Sequence, residues 1–82
     1  MKHVIYPKGT CSRRMVVDVE NGTVQSLEVE GGCSGNLQGI SRLVCGMKVS
    51  EVIERLEGIH CGFKHTSCPD QLAKGLRALP EA

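Results

Sequence analysis

Apolar and polar positions change their period part-way along this 82-residue chain. In residues 13–20 (RRMVVDVE) Met15, Val17 and Val19 recur at every second position, and in residues 23–30 (TVQSLEVE) Leu27 and Val29 do the same. A period of two places side chains alternately on the two sides of a strand, so each arm has one apolar face. Asn21-Gly22 stands between the arms and suits the positive φ angles of a two-residue type I′ turn, which predicts a hairpin. Val24 is out of phase with Leu27 and Val29, and this admits a bulge or slip in the second arm. Upstream, HVIY at 3–6 is β-rich and stops at Pro7, as a short edge strand would.

After Gly31-Gly32 the spacing becomes three and four. Leu37, Ile40, Leu43, Val44 and Met47 form a helical stripe, which predicts a helix running to about Cys45 or Gly46, with Gly39 as its weak point. Ser50 suits the N-cap of a second helix, with Glu51 in its first turn, Val52, Ile53 and Leu56 facing inward and Gly58 as its stop. Pro69, at a first helical position, opens a third helix with Leu72, Leu76 and Leu79 on one face and Pro80 at its end. Three strands followed by three helices predict an α+β fold, a small antiparallel three-stranded sheet with the helices packed on one face, in a single domain over residues 1–82.

Composition turns this pattern into a stability problem. A domain of this size buries roughly 60% of the surface its unfolded chain exposes. Tyr6 and Phe63 are the only aromatic residues and tryptophan is absent, so the largest core-filling side chains are nearly missing. Small domains compensate with disulfides, metals or oligomerisation, and the five cysteines bring in the first two. A homodimer is the third route. Residues 1–9 (MKHVIYPKG) lack the apolar core of a signal peptide, and no apolar run reaches the roughly 20 residues of a membrane span, so a cytoplasmic protein without membrane contact is expected. There disulfides are disfavoured, which moves clustered cysteines toward metal binding or catalysis. Ten basic and nine acidic side chains are interspersed and give a net charge of +1; with two aromatics and only SRR at 12–14 as a basic cluster, nucleic acid is not an expected partner.

The cysteines fall at boundaries. Cys11 lies in a turn-like segment (YPKGTCS), Cys33 follows Gly31-Gly32 where the sheet gives way to a helix, and Cys68 stands just before Pro69. Unpaired backbone N–H groups and the positive end of the helix dipole stabilise a thiolate at such helix starts. The glycines of GGCSG let backbone approach closely. Cys61, seven residues before Cys68, sits in an irregular segment that allows both sulfurs to reach one centre, whereas Cys45 lies beside the apolar stripe of the first helix and is assigned to packing. No C-x2-C knuckle is present, so spacing alone does not diagnose a metal; the competing reading makes these thiols small buried residues and loop residues. His60 and His65 flank the Cys61–Cys68 segment as ligand or proton-carrier candidates, or as plain solvated loop histidines. Asp70 suits the first turn of the last helix as a capping carboxylate or as a group tuning Cys68, and Lys64 adds positive charge nearby.

The string TSCPD at 66–70, with QLAKGLRAL after it and GTCS, GGCSGNLQGISRLVCGM and GIHCG before it, resembles the TSCPD-domain family of small four-cysteine proteins, related to a segment near the C-terminus of some ribonucleotide reductases. More distantly, the order hairpin, GGCSGNLQGISRLVCGM, helix and SCPDQLAKGLRAL is similar to the U-type iron–sulfur cluster assembly scaffolds. That likeness implies Cys11, Cys33 and Cys68 as ligands. Arg13 stands where the scaffolds have a carboxylate and Ser67 where they have a histidine, departures that speak against cluster assembly and transfer. Cys61 would complete a four-sulfur site suited to zinc or an iron–sulfur cluster. The resemblances imply a ribonucleotide reductase or an iron–sulfur acceptor protein as partner.

Three functions follow as expectations. The first is a metal-binding module with Cys11, Cys33, Cys61 and Cys68 around zinc or an iron–sulfur cluster. The second is a thiol redox accessory of a nucleotide reductase. The third is a protein-interaction module without metal. No nucleophile, base and orienting group form a set that would name a reaction.

Overall fold

The computed structural model describes residues 1–10, 12–31, 34–60, 62 and 65–79, with the backbone alone for 34–36. Its order is β1 (Lys2–Ile5), β2 (Ser12–Glu20), β3 (Thr23–Gly31), α1 (Ser34–Val44), α2 (Val49–Leu56) and α3 (Cys68–Arg77). The strands form one antiparallel sheet in the order β1-β2-β3. The expected α+β fold is therefore present.

The hairpin turn has the backbone its sequence demands, with φ of 52° at Asn21 and 73° at Gly22. Two register irregularities bend the β2–β3 ladder. In the first, Asp18 faces Ser26 while Val19 faces Val24, leaving Gln25 as the extra residue. This is the bulge that the phase of Val24 foreshadowed, and it turns Val24 inward to full burial. In the second, Ser12 faces Gly31 while Arg14 faces Glu30, so Arg13 is extra. Ser12 thereby joins Met15, Val17 and Val19 on the buried side, where strict alternation would have turned it outward.

One core fills the space between sheet and helices. Ile5, Met15, Val17, Val19, Val24 and Leu27 of the strands meet Val44, Val49, Val52, Leu72 and Leu76 of the helical half. The hairpin is also tied to the α1–α2 connection by backbone bonds: Val24 N–H donates to Met47 O at 2.8 Å, Gly46 N–H to Val24 O at 2.8 Å and Val49 N–H to Gly22 O at 2.8 Å.

Four expectations need correction. Leu43 was expected in the buried stripe of α1 but is 74% exposed, because Leu37, Ile40, Val44 and Met47 already fill the inward side. Cys45 lies just beyond α1 and is exposed; its thiol donates to Gln25 O at 2.9 Å, so it does not pack in the core. The N-cap of α2 is Lys48 rather than Ser50, without a side-chain cap, because the Thr23↔Lys48 bridge fixes where that helix begins. Helix α3 ends at Arg77, before Leu79 and Pro80, and its first residue is Cys68, which puts Pro69 second.

Gly75 of α3 lies against β1. A Cβ built there would sit 2.6–2.8 Å from three side-chain carbons of Ile5. Helix propensity alone would make Gly75→Ala stabilising by about 1 kcal/mol. Overpacking costs about 1–3 kcal/mol. We expect Gly75→Ala to lower the urea midpoint, and Ile5→Val in the same chain to recover part of the loss; a raised midpoint for the single variant would show that Ile5 has room to move.

Candidate functional site

The N-terminus of α3 is where separate parts of the chain meet. Ser67 is its N-cap: the Ser67 hydroxyl accepts from Asp70 N–H at 3.2 Å and donates to Ile59 O at 2.6 Å. One side chain thus closes the helix start and pulls in the loop after α2. Pro69, lacking an N–H, costs nothing in the first turn.

Asp70 fixes the same loop from within. It is 1% exposed, and its carboxylate accepts from Gly58 N–H at 2.7 Å and Thr66 Oγ1 at 2.5 Å, with Lys74 Nζ at 3.1 Å. A buried carboxylate needs such partners to stay charged. The Thr66 hydroxyl, the Gly58 amide and the Lys74 ammonium together outweigh burial and hold the pKa at about 2, below the ordinary 3.8. Gln71 extends the network, donating from Nε2 to Thr66 Oγ1 at 2.9 Å while its Oε1 accepts from Lys8 N–H at 3.1 Å.

Cys68, partly exposed at the first position of α3, has its sulfur 3.1 Å from Ser12 Oγ, and Ser12 Oγ lies 3.0 Å from Thr10 Oγ1. Ser12 is 4% exposed and is the β-ladder partner of Gly31. Cys68 and Cys45 are both free thiols.

Of the expected site residues, Cys68 and Asp70 stand together at this helix start. His60 and His65 are exposed on the loop that leads to it. Cys11, Cys33, Cys61 and Lys64 lie outside the described residues. Among the described residues no group of three His, Cys, Asp or Glu side chains is placed to hold a metal ion. Sequence reasoning overlooked Thr10, Ser12 and Thr66. The hydroxyl in GTCS next to Cys11 was visible, but its inward direction depends on the bulge at Arg13.

Residues 2–79 match the TSCPD domain. The chain belongs to the TSCPD-domain family. No curated protein and no solved structure matches it. The five residues behind the TSCPD name each have a visible task here: Thr66 and Asp70 bond to each other, Ser67 caps, Pro69 supports the first turn, and Cys68 is presented beside Ser12. No described helix of this TSCPD domain is long and apolar enough to cross a membrane.

Removing the Asp70 carboxylate leaves a backbone amide and a hydroxyl without their acceptor, at about 1–3 kcal/mol for each buried group left unpaired. Asp70→Ala should therefore melt well below wild type, and Asp70→Asn, which keeps an acceptor for Gly58, by less. Since the folded-state pKa lies below the unfolded one, the carboxylate stabilises fully above about pH 4–5 and loses its effect as pH falls toward 2. The Asn variant should lack that component of the acid melt; an unchanged acid transition would show that Asp70 does not govern it.

Proposed function

We propose that this TSCPD domain is a metal-binding module in which the thiolates of Cys11, Cys33, Cys61 and Cys68 hold zinc or an iron–sulfur cluster. The observation that supports it is the meeting of each cysteine's chain neighbours at the start of α3. Ser12, next to Cys11, contacts the Cys68 sulfur, and it pairs with Gly31, two residues before Cys33. Ile59, two residues before Cys61, accepts a bond from Ser67. A Cβ at Gly9, two residues before Cys11, would lie 3.2 Å from the Thr66 methyl. The start of β2, the end of β3 and the stretch from Ile59 to Cys68 are drawn to one place, and all four thiols lie within or close along the chain from these stretches.

The donor chemistry fits. Four thiolates suit tetrahedral zinc or a cluster, and the amide donors and dipole of α3 offset negative charge at Cys68. A metal held there would tie the β2 start, the β3 end, the 57–67 loop and α3 together, which helps a small domain with only two aromatic residues. Thiols kept for metal need a reducing compartment, which favours a cytoplasmic location. The family's relation to ribonucleotide reductases makes such an enzyme a candidate partner.

Protein isolated anaerobically should contain zinc, or iron with sulfide, in stoichiometric amount, and single Cys→Ser changes at 11, 33, 61 and 68 should each lower it. A folded wild type without metal would contradict the reading. If that metal-free protein formed a reversible disulfide with its fold retained, the thiol redox function would replace it; partner binding that survives loss of all four cysteines would favour an interaction module.

A further inference from the structure

Ser12 is a polar side chain placed on the apolar side of a sheet, and that placement costs the fold something. Its side chain is almost wholly withdrawn from water, and its hydroxyl lies 3.0 Å from Thr10 Oγ1 and 3.1 Å from Cys68 Sγ. The bulge at Arg13 is what turns it there. Core packing gives no reason for a hydroxyl at this position.

We propose that Thr10 and Ser12 form a one-way hydrogen-bond relay that donates to the Cys68 sulfur and sets how much charge that sulfur gives to a bound metal. The inference rests on the metal-binding reading above and goes beyond it by assigning two positioning residues. A thiolate is an acceptor only, so Ser12 must donate its single hydroxyl proton to Cys68. With that proton committed, Ser12 Oγ can only accept from Thr10, whose hydroxyl must donate. With Cys68 bound to metal as a thiolate the direction of both bonds is set, and each bond polarises the next. A hydrogen bond to a ligand sulfur lowers its lone-pair energy, so the relay reduces donation from sulfur to metal, and solvent does not compete for the buried Ser12.

Cobalt(II), which takes the place of zinc and whose sulfur-to-metal charge-transfer band reports on the sulfur lone pairs, provides the test. Full-length wild type, Ser12→Ala, Ser12→Thr and Thr10→Val are loaded anaerobically with cobalt(II) and compared by absorption, with far-UV circular dichroism as the control for folding. The expected result is equal cobalt content and a charge-transfer band moved to longer wavelength in Ser12→Ala. A smaller move in the same direction is expected for Thr10→Val, and return toward the wild-type position for Ser12→Thr. A merely structural serine would change stability without moving the band. An unshifted band in cobalt-loaded Ser12→Ala overturns the relay and leaves the metal reading intact, whereas a wild type that takes up no cobalt overturns both. If Ser12→Ala fails to fold, Thr10→Val decides: a shifted band supports the relay and an unshifted one overturns it.

Discussion

Asp70 keeps a negative charge in a place where almost no water reaches it, and the arrangement around the start of α3 depends on that charge being satisfied. Its partners are the amide of Gly58 at the start of the loop after α2, the hydroxyl of Thr66 just before α3, and Lys74 one turn along the same helix. Removing water from a carboxylate costs several kcal/mol unless donors replace it, so these bonds are obligatory rather than ornamental. Together with the Ser67–Ile59 bond they tie Gly58, Ile59 and Thr66 to the first turn of α3, and Ser67 caps the helix. Everything proposed for Cys68 depends on that fixed position.

The sheet contributes the other half. Ordinary alternation along β2 would aim Ser12 at solvent and take its hydroxyl away from Cys68. The extra residue at Arg13 reverses this, at the end of the strand beside the site, where bulges commonly re-aim a side chain. The same device at Gln25 serves the core by burying Val24, whose backbone also bonds to the α1–α2 connection. Two bulges in one hairpin thus have different consequences, one for the core and one for the chemistry.

Much of this fold was legible in the sequence because it rests on local rules. Asn21-Gly22 named its turn, the period of two named both arms, and Val24 announced a bulge by falling out of phase. Leu43 misled because a helical stripe wider than the available sheet leaves its outermost member in solvent. The start of α2 misled because the Thr23↔Lys48 bridge, a tertiary contact, overrides the capping preference of Ser50. At the candidate site, Cys68 and Asp70 were legible from the helix start. Ser12 and Thr66 were not, since both depend on contacts between segments far apart in sequence. The depth of Asp70 was hidden for the same reason: capping explains a carboxylate in a first turn, but its bond to Gly58 requires knowing where the loop returns.

The proposed metal site requires the thiols of Cys11, Cys33 and Cys61 to reach Cys68 where α3 begins. X-ray absorption at the zinc edge of the zinc-loaded protein tests it most directly, because it counts and identifies the atoms bound to the metal without reference to any variant. Four sulfur neighbours at about 2.3 Å are expected. A first shell with nitrogen or oxygen at about 2.0–2.2 Å in place of two or more sulfurs would contradict it.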